Sequence, residues 1–227
     1  MRFQDAAPDA RAIVYAGIQA DPIVAAAAEL AVDASPAQRV LVRAVMNGET
    51  TDAAAWRTMF PTLFGRDVDP HRRDASERLL AAALVVARRG EAARSQYRGA
   101  LVESVTERLL ARRAGEGVRR ERRILFDGVR SEIHPYDVTV EGPVPEAYDC
   151  KWGARGINAD VLLQLSAARD HAAAEGVDLA VALVVFDAHR SCLVRLARQG
   201  PPKGIGLVSL ETLRTLARGR PAQRAAP

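Results

Sequence analysis

The residues whose types and spacing could do chemistry lie in the stretch PYDVTVEGPVPEAYDCKWG, residues 135 to 153. Asp137 stands in one predicted β-strand, and Asp149 and Lys151 stand two positions apart in the next. Side chains two apart on a strand share a face, so Asp149 and Lys151 should project together, and Asp137 joins them if the strands pair. Two carboxylates and an ammonium group at the edge of a sheet suit a divalent metal ion and a phosphate.

Helical and extended patterns alternate around this stretch. Residues 99–113 predict an amphipathic helix in which Glu103 lies between apolar positions. Asp127-Gly128 is a hairpin signal ahead of two alternating strands, the second of which carries Asp149 and Lys151. Asn158 is a suitable cap for the following helix, which runs to about Gly176 and carries Gln164.

Downstream, the sequence predicts two further strands. Residues 179–186 form a continuous apolar run of strand length, which is typical of a strand covered on both faces. A turn leads into a second strand at residues 191–196, and residues 200–206 form a loop. Ser209 is predicted to cap a last helix.

The first 94 residues have a helical pattern with no strand-like alternation of any length. Asp21-Pro22 and Ser35-Pro36 are helix start signals, because Asp and Ser cap helices and Pro fits the first turn. We therefore expect a helical domain over residues 1–94, an α/β domain over residues 95–218 and a disordered tail over residues 219–227. The helical domain is expected to bind a partner protein, form a homodimer or select substrate.

Composition bounds the class of protein. The chain is 48% hydrophobic and 26% charged, as in ordinary soluble globular proteins. Its apolar runs are too short to cross a bilayer and no signal peptide is recognisable, which predicts a cytoplasmic protein without a membrane partner. The net charge of +4 is compatible with an anionic partner. Because Lys151 and Lys203 are the only lysines, the arginine content could equally reflect a genomic preference.

The order from Gly99 onward is helix, three strands, helix and two strands, and it resembles the PD-(D/E)xK nuclease superfamily, which has the restriction-endonuclease-like fold. The resemblance covers residues 95–217, about half of the chain. Pro135-Tyr136-Asp137 stands at the first acidic motif, with one residue between Pro and Asp, and Asp149-Cys150-Lys151 fits the (D/E)xK tripeptide in its Asp form. Glu103 matches the helical glutamate of many members, and Gln164 matches a position where several branches place glutamine.

The resemblance implies a Mg²⁺-dependent nuclease, with Mn²⁺ able to substitute, that hydrolyses phosphodiester bonds in nucleic acid, with DNA as the expected substrate, in restriction, defence or repair. Asp137 and Asp149 would be the main metal ligands, with the backbone carbonyl of Cys150 a further one. Lys151 would orient or activate the attacking water and offset charge on the phosphorane. Glu103 would bind a second ion or hold a metal-bound water, and Gln164 would position substrate or a neighbouring ligand.

Each of these residues also has a structural interpretation. Asp149 and Lys151 could be an exposed charge pair, Asp137 a residue at a strand end, and Glu103 a partner for nearby arginines. The arginines at 108, 112, 113, 119, 120, 122, 123 and 130 could follow a phosphate backbone or form a solvated basic face. An alternative function is therefore a catalytically inactive nucleic-acid-binding or assembly module on the same fold.

Overall fold

A computed structural model of the chain describes residues 1–6, 10–127, 129–130, 135–200 and 204–219. Its contacts form two compact units, a helical unit of residues 10–105 and a sheet unit that takes in residues 1–6 and the described residues from Thr106 onward. The boundary lies inside one helix, between Val105 and Thr106, whereas the sequence suggested a division at residue 94. The described part of the chain contains no helix that is long and apolar enough to cross a membrane.

The helical unit is built from α-helices, two of which begin at the predicted start signals Asp21-Pro22 and Ser35-Pro36. The side chain of Asp21 accepts the backbone N–H of Ile23 at 2.8 Å, and Ser35 forms a capping box with Gln38. The helices are α1 (Ala10–Gln19), α2 (Pro22–Asp33), α3 (Pro36–Asn47), α4 (Ala53–Met59), α5 (Pro61–Phe64), α6 (Pro70–Ala87) and α7 (Glu91–Ala114), of which α7 continues into the sheet unit. Apolar side chains of α3 to α6 form a core that includes Leu41, Trp56, Leu63 and Leu80.

The sheet unit has a mixed, open β-sheet. Its strands are β1 (Arg2–Asp5), β2 (Val118–Phe126), β3 (Val129–Arg130), β4 (Tyr136–Val140), β5 (Glu146–Lys151), β6 (Ala180–Val185) and β7 (Ile205–Ser209). The spatial order is β1-β2-β4-β5-β6-β7, with β3 paired to β2. Neighbours from β1 to β5 are antiparallel, while β5, β6 and β7 are parallel. The α/β class predicted from the sequence is confirmed.

Two helices complete this unit and cover the parallel part of the sheet. They are α8 (Ala159–Ala174) and α9 (His189–Gln199). Asn158 caps α8 as predicted, with its side chain accepting the N–H of Val161 at 3.0 Å. The core between these helices and the sheet includes Leu162 and Leu165 of α8, Leu183 of β6 and Leu196 of α9. This core supports the end of β5, where Asp149 and Lys151 lie.

The sequence interpretation was wrong in several places at the ends of this unit. Residues 191–196 belong to α9 and not to a strand, because Cys192 and Leu196, four positions apart, are the residues that this helix buries. The second downstream strand is β7, where a loop and the start of a helix were predicted, and Leu213–Ala217 is only a short 3₁₀ turn. A short apolar run does not by itself distinguish strand from helix.

The N-terminal stretch contains the short strand β1, although the sequence predicted no strand there. Arg2 to Asp5 pair antiparallel with residues 122–125 of β2, and this pairing with a distant segment is what makes the stretch extended. The predicted disordered tail lies outside the described residues from residue 220 onward.

Candidate active site

Asp137 and Asp149 lie next to each other on two adjacent strands. Strands β4 and β5 are antiparallel, and their pairing ends with Val138 opposite Tyr148, one residue short of Asp137 and Asp149. Residues directly opposite each other in an antiparallel pair project to the same face with Cβ atoms about 5 Å apart. One carboxylate oxygen of Asp137 also accepts the backbone N–H of Cys150 at 2.5 Å. Asp137 and Asp149 therefore lie just beyond the paired part of the two strands, and the charges of both act on Lys151.

Lys151 joins the two carboxylates. Its Nζ forms an ion pair with Oδ1 of Asp149, and the Asp149 and Lys151 side chains are 13% and 27% exposed. Burial alone lowers the pKa of Lys151, but the negative charges of Asp149 and Asp137 outweigh it and raise the pKa above its ordinary value. Lys151 is therefore a cation held by two carboxylates, at a position that solvent can reach.

Gln164 lies on the side of the sheet where Asp149 projects. Ala147, two positions before Asp149 on β5, packs in the same core cluster as Leu165 of α8. The pKa of the Tyr136 phenol is raised to about 12, mainly by burial and also by the charge of Asp149, while a hydrogen bond with Gln164 acts to lower it. That hydrogen bond is weak, since the buried Tyr136 hydroxyl makes no well-formed hydrogen bond to the described residues. Gln164 and Asp149 are thus both close to the Tyr136 hydroxyl.

The turn that follows β5 packs directly against Lys151. This 3₁₀ turn runs from Ala154 to Gly156, and a Cβ atom at Gly156 would lie only 2.9 to 3.0 Å from the Cδ, Cβ and Cγ atoms of Lys151. The close approach of the turn therefore requires glycine at this position. It confines the aliphatic part of the lysine side chain and so limits where its ammonium group can be.

Asp187, which the sequence suggested only as part of a turn, fixes the position of this loop. It follows β6, and its Oδ2 accepts the N–H of Ala154 at 2.9 Å while its Oδ1 accepts the N–H of Ala188 at 2.8 Å. The carbonyl of Lys151 accepts the N–H of Phe186 at 2.8 Å. A carboxylate just beyond a buried parallel strand was a usable signal, because the carboxyl ends of such strands are where sites form.

Glu103 is a buried carboxylate of the helical unit, with 5% of its surface exposed. It accepts hydrogen bonds from the hydroxyl of Tyr15 at 2.6 Å and from the side-chain amide of Gln19, and both of these residues belong to α1. These contacts give Glu103 a role in joining α1 to α7. Its role toward a metal ion stays a prediction, and so does that of the Cys150 carbonyl.

The Cys150 side chain points to the other side of β5. Its thiol donates a hydrogen bond to the hydroxyl of Thr106, on α7, at 3.5 Å. Alternation along the strand places Cys150 opposite in direction to Asp149 and Lys151. The Cys150 side chain is therefore buried and structural, as the sequence suggested.

The donor set fits a hard divalent cation that keeps most of its water. The described residues contain no cluster of three or more His, Cys, Asp or Glu side chains, so they offer no complete protein cage for zinc or calcium. Mg²⁺ typically uses one or two carboxylates together with waters and substrate phosphates. Asp137 and Asp149 supply two carboxylates at neighbouring positions, which is sufficient for that mode.

Several arginines that were candidates for phosphate binding serve the sheet unit instead. The ion pairs are Arg113 with Glu146, Arg120 with Glu107, and Arg122 with Asp5 and Glu141. A guanidinium group already paired with a carboxylate offers less to a phosphate. The side chain of Arg130 lies outside the described residues.

Comparison with known proteins gave no matching family model, no matching curated protein and no matching solved structure. The function is therefore inferred from the residues of the site and their geometry.

Proposed function

We propose that this protein is a metal-dependent nuclease that hydrolyses phosphodiester bonds, with DNA as its substrate. The observation that carries the proposal is the convergence of Asp137, Asp149 and Lys151 at the end of one pair of strands. Two carboxylates side by side with one ammonium group leave a net negative charge. That charge favours a divalent cation, which in turn favours a phosphate.

Folding alone does not account for this arrangement. Two carboxylates that share one ammonium group keep a net negative charge, because Lys151 offsets only one of them. A partly exposed ion pair contributes only about 0 to 1 kcal/mol. The hydrogen bond from the Cys150 N–H holds Asp137 in place, and the net negative charge that remains is one that a divalent cation would neutralise.

The order of elements supports the same proposal. Helix α7, the antiparallel strands β2, β4 and β5, helix α8 and the parallel strand β6 follow in the sequence implied by the PD-(D/E)xK resemblance. We propose that the sheet unit is a restriction-endonuclease-like core, and that the helical unit binds a partner protein or mediates dimerisation.

Each residue has a defined role in this proposal. Asp137 and Asp149 would hold Mg²⁺ or Mn²⁺, with Glu103 and the Cys150 carbonyl as further predicted ligands. When bound, the ion polarises the scissile phosphate and lowers the pKa of a coordinated water. Lys151 stabilises the charge that builds on the phosphate oxygens. Because its pKa is raised, it acts at neutral pH as a cation and not as the base that takes a proton from water.

Gln164 would orient the substrate or a neighbouring ligand from α8. Both Gln164, through a hydrogen bond, and Asp149, through its charge, act on the Tyr136 phenol. An amide can donate to a phosphate oxygen and accept from water. The Gln164 amide therefore suits a positioning role and leaves the charge of the site unchanged.

The test is cleavage of supercoiled plasmid, linear duplex DNA, single-stranded DNA and RNA with Mg²⁺ or Mn²⁺. Lys151→Ala should lower the cleavage rate by about 10²- to 10³-fold, the effect of removing one group that stabilises transition-state charge. Lys203→Ala makes the same substitution at the only other lysine and should leave the rate unchanged. No cleavage by the wild-type chain, or equal cleavage by the Lys151→Ala variant, would refute the proposal.

A further inference from the structure

An open groove with a volume of about 420 Å³ lies beside the candidate site and is lined by arginines. Its arginines are Arg155, from the turn after β5, and Arg190, Arg195 and Arg198, from α9. We propose that this arginine groove binds the sugar-phosphate backbone of a nucleic acid on one side of the site. The inference rests on the proposed function for its choice of polyanion.

The charge of the arginine groove is not neutralised. Arg155, Arg190 and Arg198 are exposed, and within the described residues none of the three forms an ion pair or a hydrogen bond with another side chain. Arg195 is anchored through a hydrogen bond from its Nε to the carbonyl of Ile157 at 2.9 Å. The carboxylates of Asp187 and Glu211, at the start of α9, accept backbone N–H groups. The guanidinium groups of the groove repel one another, and a polyanion relieves that repulsion.

The spacing along α9 suits a row of phosphates. Arg190, Val194 and Arg198 are four residues apart and therefore lie on one face of the helix. From Arg190 to Arg198 the helix rises about 12 Å. A strand of duplex DNA carries one phosphate for about every 3.4 Å of its axis, so this face can follow about three phosphates.

The groove is joined to the site through short, rigid connections. Arg155 lies between Ala154, whose N–H is bound by Asp187, and Gly156, which packs on Lys151. Asp187 also binds the N–H of Ala188 at the start of α9. One carboxylate therefore fixes the turn that carries Arg155 and the helix that carries the other arginines. A backbone held in the groove would be held at a defined position relative to Lys151.

Arginine is well suited to binding phosphate groups. Its planar guanidinium group binds phosphate oxygens through two hydrogen bonds. Phosphate contacts set position and register but carry no sequence information. The arginine groove should accordingly bind nucleic acid with little dependence on sequence and a strong dependence on salt.

The experiment compares the wild type with Arg155→Ala/Arg190→Ala/Arg198→Ala by measuring Kd for a fluorescent 25-base-pair DNA duplex at several salt concentrations. EDTA is present so that metal-dependent cleavage does not occur. Each lost phosphate contact removes about 0.9 from the slope of log K against log salt, so the slope should fall by about 2 to 3. At low salt we expect Kd to rise at least about tenfold.

The matched control is Arg66→Ala/Arg72→Ala/Arg88→Ala, which removes the same charge from exposed positions of the helical unit. It should keep the wild-type slope, and so should a variant with lysine at positions 155, 190 and 198. An unchanged slope in the groove variant, or an equal loss in the control, overturns the inference.

The experiment also separates this inference from the proposed function. A chain that binds DNA through these arginines but cleaves nothing with Mg²⁺ or Mn²⁺ supports the groove and refutes the nuclease. A chain that cleaves, with a groove variant whose salt slope is unchanged, refutes the groove and leaves the nuclease standing.

Discussion

Strand β5 takes part in two ion pairs, one on each face. The surroundings of the two pairs differ. Glu146 and Arg113 form a bidentate pair at 2.8 and 2.5 Å, with side chains 3% and 18% exposed. The Tyr148 hydroxyl also donates to Glu146. Asp149 and Lys151, at the end of the strand, are more exposed, and Lys151 is shared with a second carboxylate, Asp137.

The difference shows how a structural pair can be told from a candidate catalytic one. The Glu146–Arg113 pair balances one negative charge with one positive charge and joins α7 to the sheet. The group of Asp137, Asp149 and Lys151 has two negative charges and one positive charge. Only the second arrangement has a charge left over to attract a cation, and only the second lies where a substrate can reach it. Changes to the two pairs should therefore affect different properties.

The largest expected effect is on cleavage, from Asp137→Asn. Loss of one of the two proposed metal carboxylates should lower the cleavage rate by about 10³-fold, because a bound ion would contribute several kcal/mol to transition-state stabilisation. The free energy of unfolding should change by no more than about 1 kcal/mol, since the lost hydrogen-bond strength to Cys150 is offset by less repulsion from Asp149. Initial rates on plasmid DNA and urea unfolding measure the two quantities.

Asp160→Asn is the matched control, because Asp160 is an exposed acidic residue in the first turn of α8. It should retain the wild-type rate. If both variants lose activity to the same extent, the effect of Asp137→Asn is not specific to the site.

The next effect is on stability, from Arg113→Met. It leaves the buried Glu146 carboxylate without its cation, and breaking a buried pair in this way costs about 3 kcal/mol. The double variant Arg113→Met/Glu146→Met should recover most of that loss, because an apolar pair needs no charge compensation. Urea unfolding followed by the fluorescence of Trp152, in a Trp56→Phe background, reports on the sheet unit.

A double variant as unstable as Arg113→Met alone would show that Glu146 is not left uncompensated in the single variant. The Glu146–Arg113 pair would then not be the reason why Arg113→Met is less stable than the wild type.

A smaller loss of activity should follow from Gly156→Ala. The added methyl group would overlap Lys151 and displace its side chain, and displacements of about 1 Å near a reacting centre cost on the order of 10- to 100-fold in rate. Gly142→Ala adds the same methyl group where nothing lies within 4 Å, and it should have the wild-type rate. Equal rates for Gly156→Ala and the wild type would show that contact with this turn does not position Lys151.

The smallest effect is a pH dependence of stability. Because the folded state raises the pKa of Lys151, its pairing stabilises the fold fully below the ordinary lysine pKa and is lost as the pH rises through the raised value. The stability difference between the wild type and Lys151→Met should therefore be constant from pH 7 to 9 and should fall by up to about 1 kcal/mol above pH 10.

Tyr136 titrates in the same alkaline range, with its pKa raised to about 12. Its contribution is common to the wild type and Lys151→Met, so the difference in urea unfolding free energy isolates Lys151. If the difference in unfolding free energy between the wild type and Lys151→Met grew with pH, it would contradict the stabilising pairing of Lys151 with the carboxylates.

The sequence predicted the central residues because their spacing is local. Alternation along one strand places Asp149 and Lys151 on one face, and a single turn brings Asp137 beside them. Gln164 was proposed from the family resemblance, and the helix that carries it begins at the predicted cap, Asn158. These relations depend on short segments with strong signals.

The remaining parts of the site depend on contacts between distant segments. Asp187 reaches the turn after β5 because β5 and β6 are parallel neighbours, and Gly156 matters because that turn folds back on Lys151. The arginine groove depends on α9, where the sequence predicted a turn and a strand over residues 191–196, so the three arginines of this helix could not be placed on one surface. Pairing and helix packing were the missing information.

The most direct test of the central claim measures DNA cleavage and urea unfolding for Asp149→Asn and Glu146→Gln in parallel. Both remove one negative charge from β5, three positions apart. We predict that Asp149→Asn abolishes metal-dependent cleavage at nearly wild-type stability, and that Glu146→Gln lowers stability by about 2 kcal/mol while the folded protein still cleaves. Wild-type cleavage by Asp149→Asn would contradict the assignment of this site.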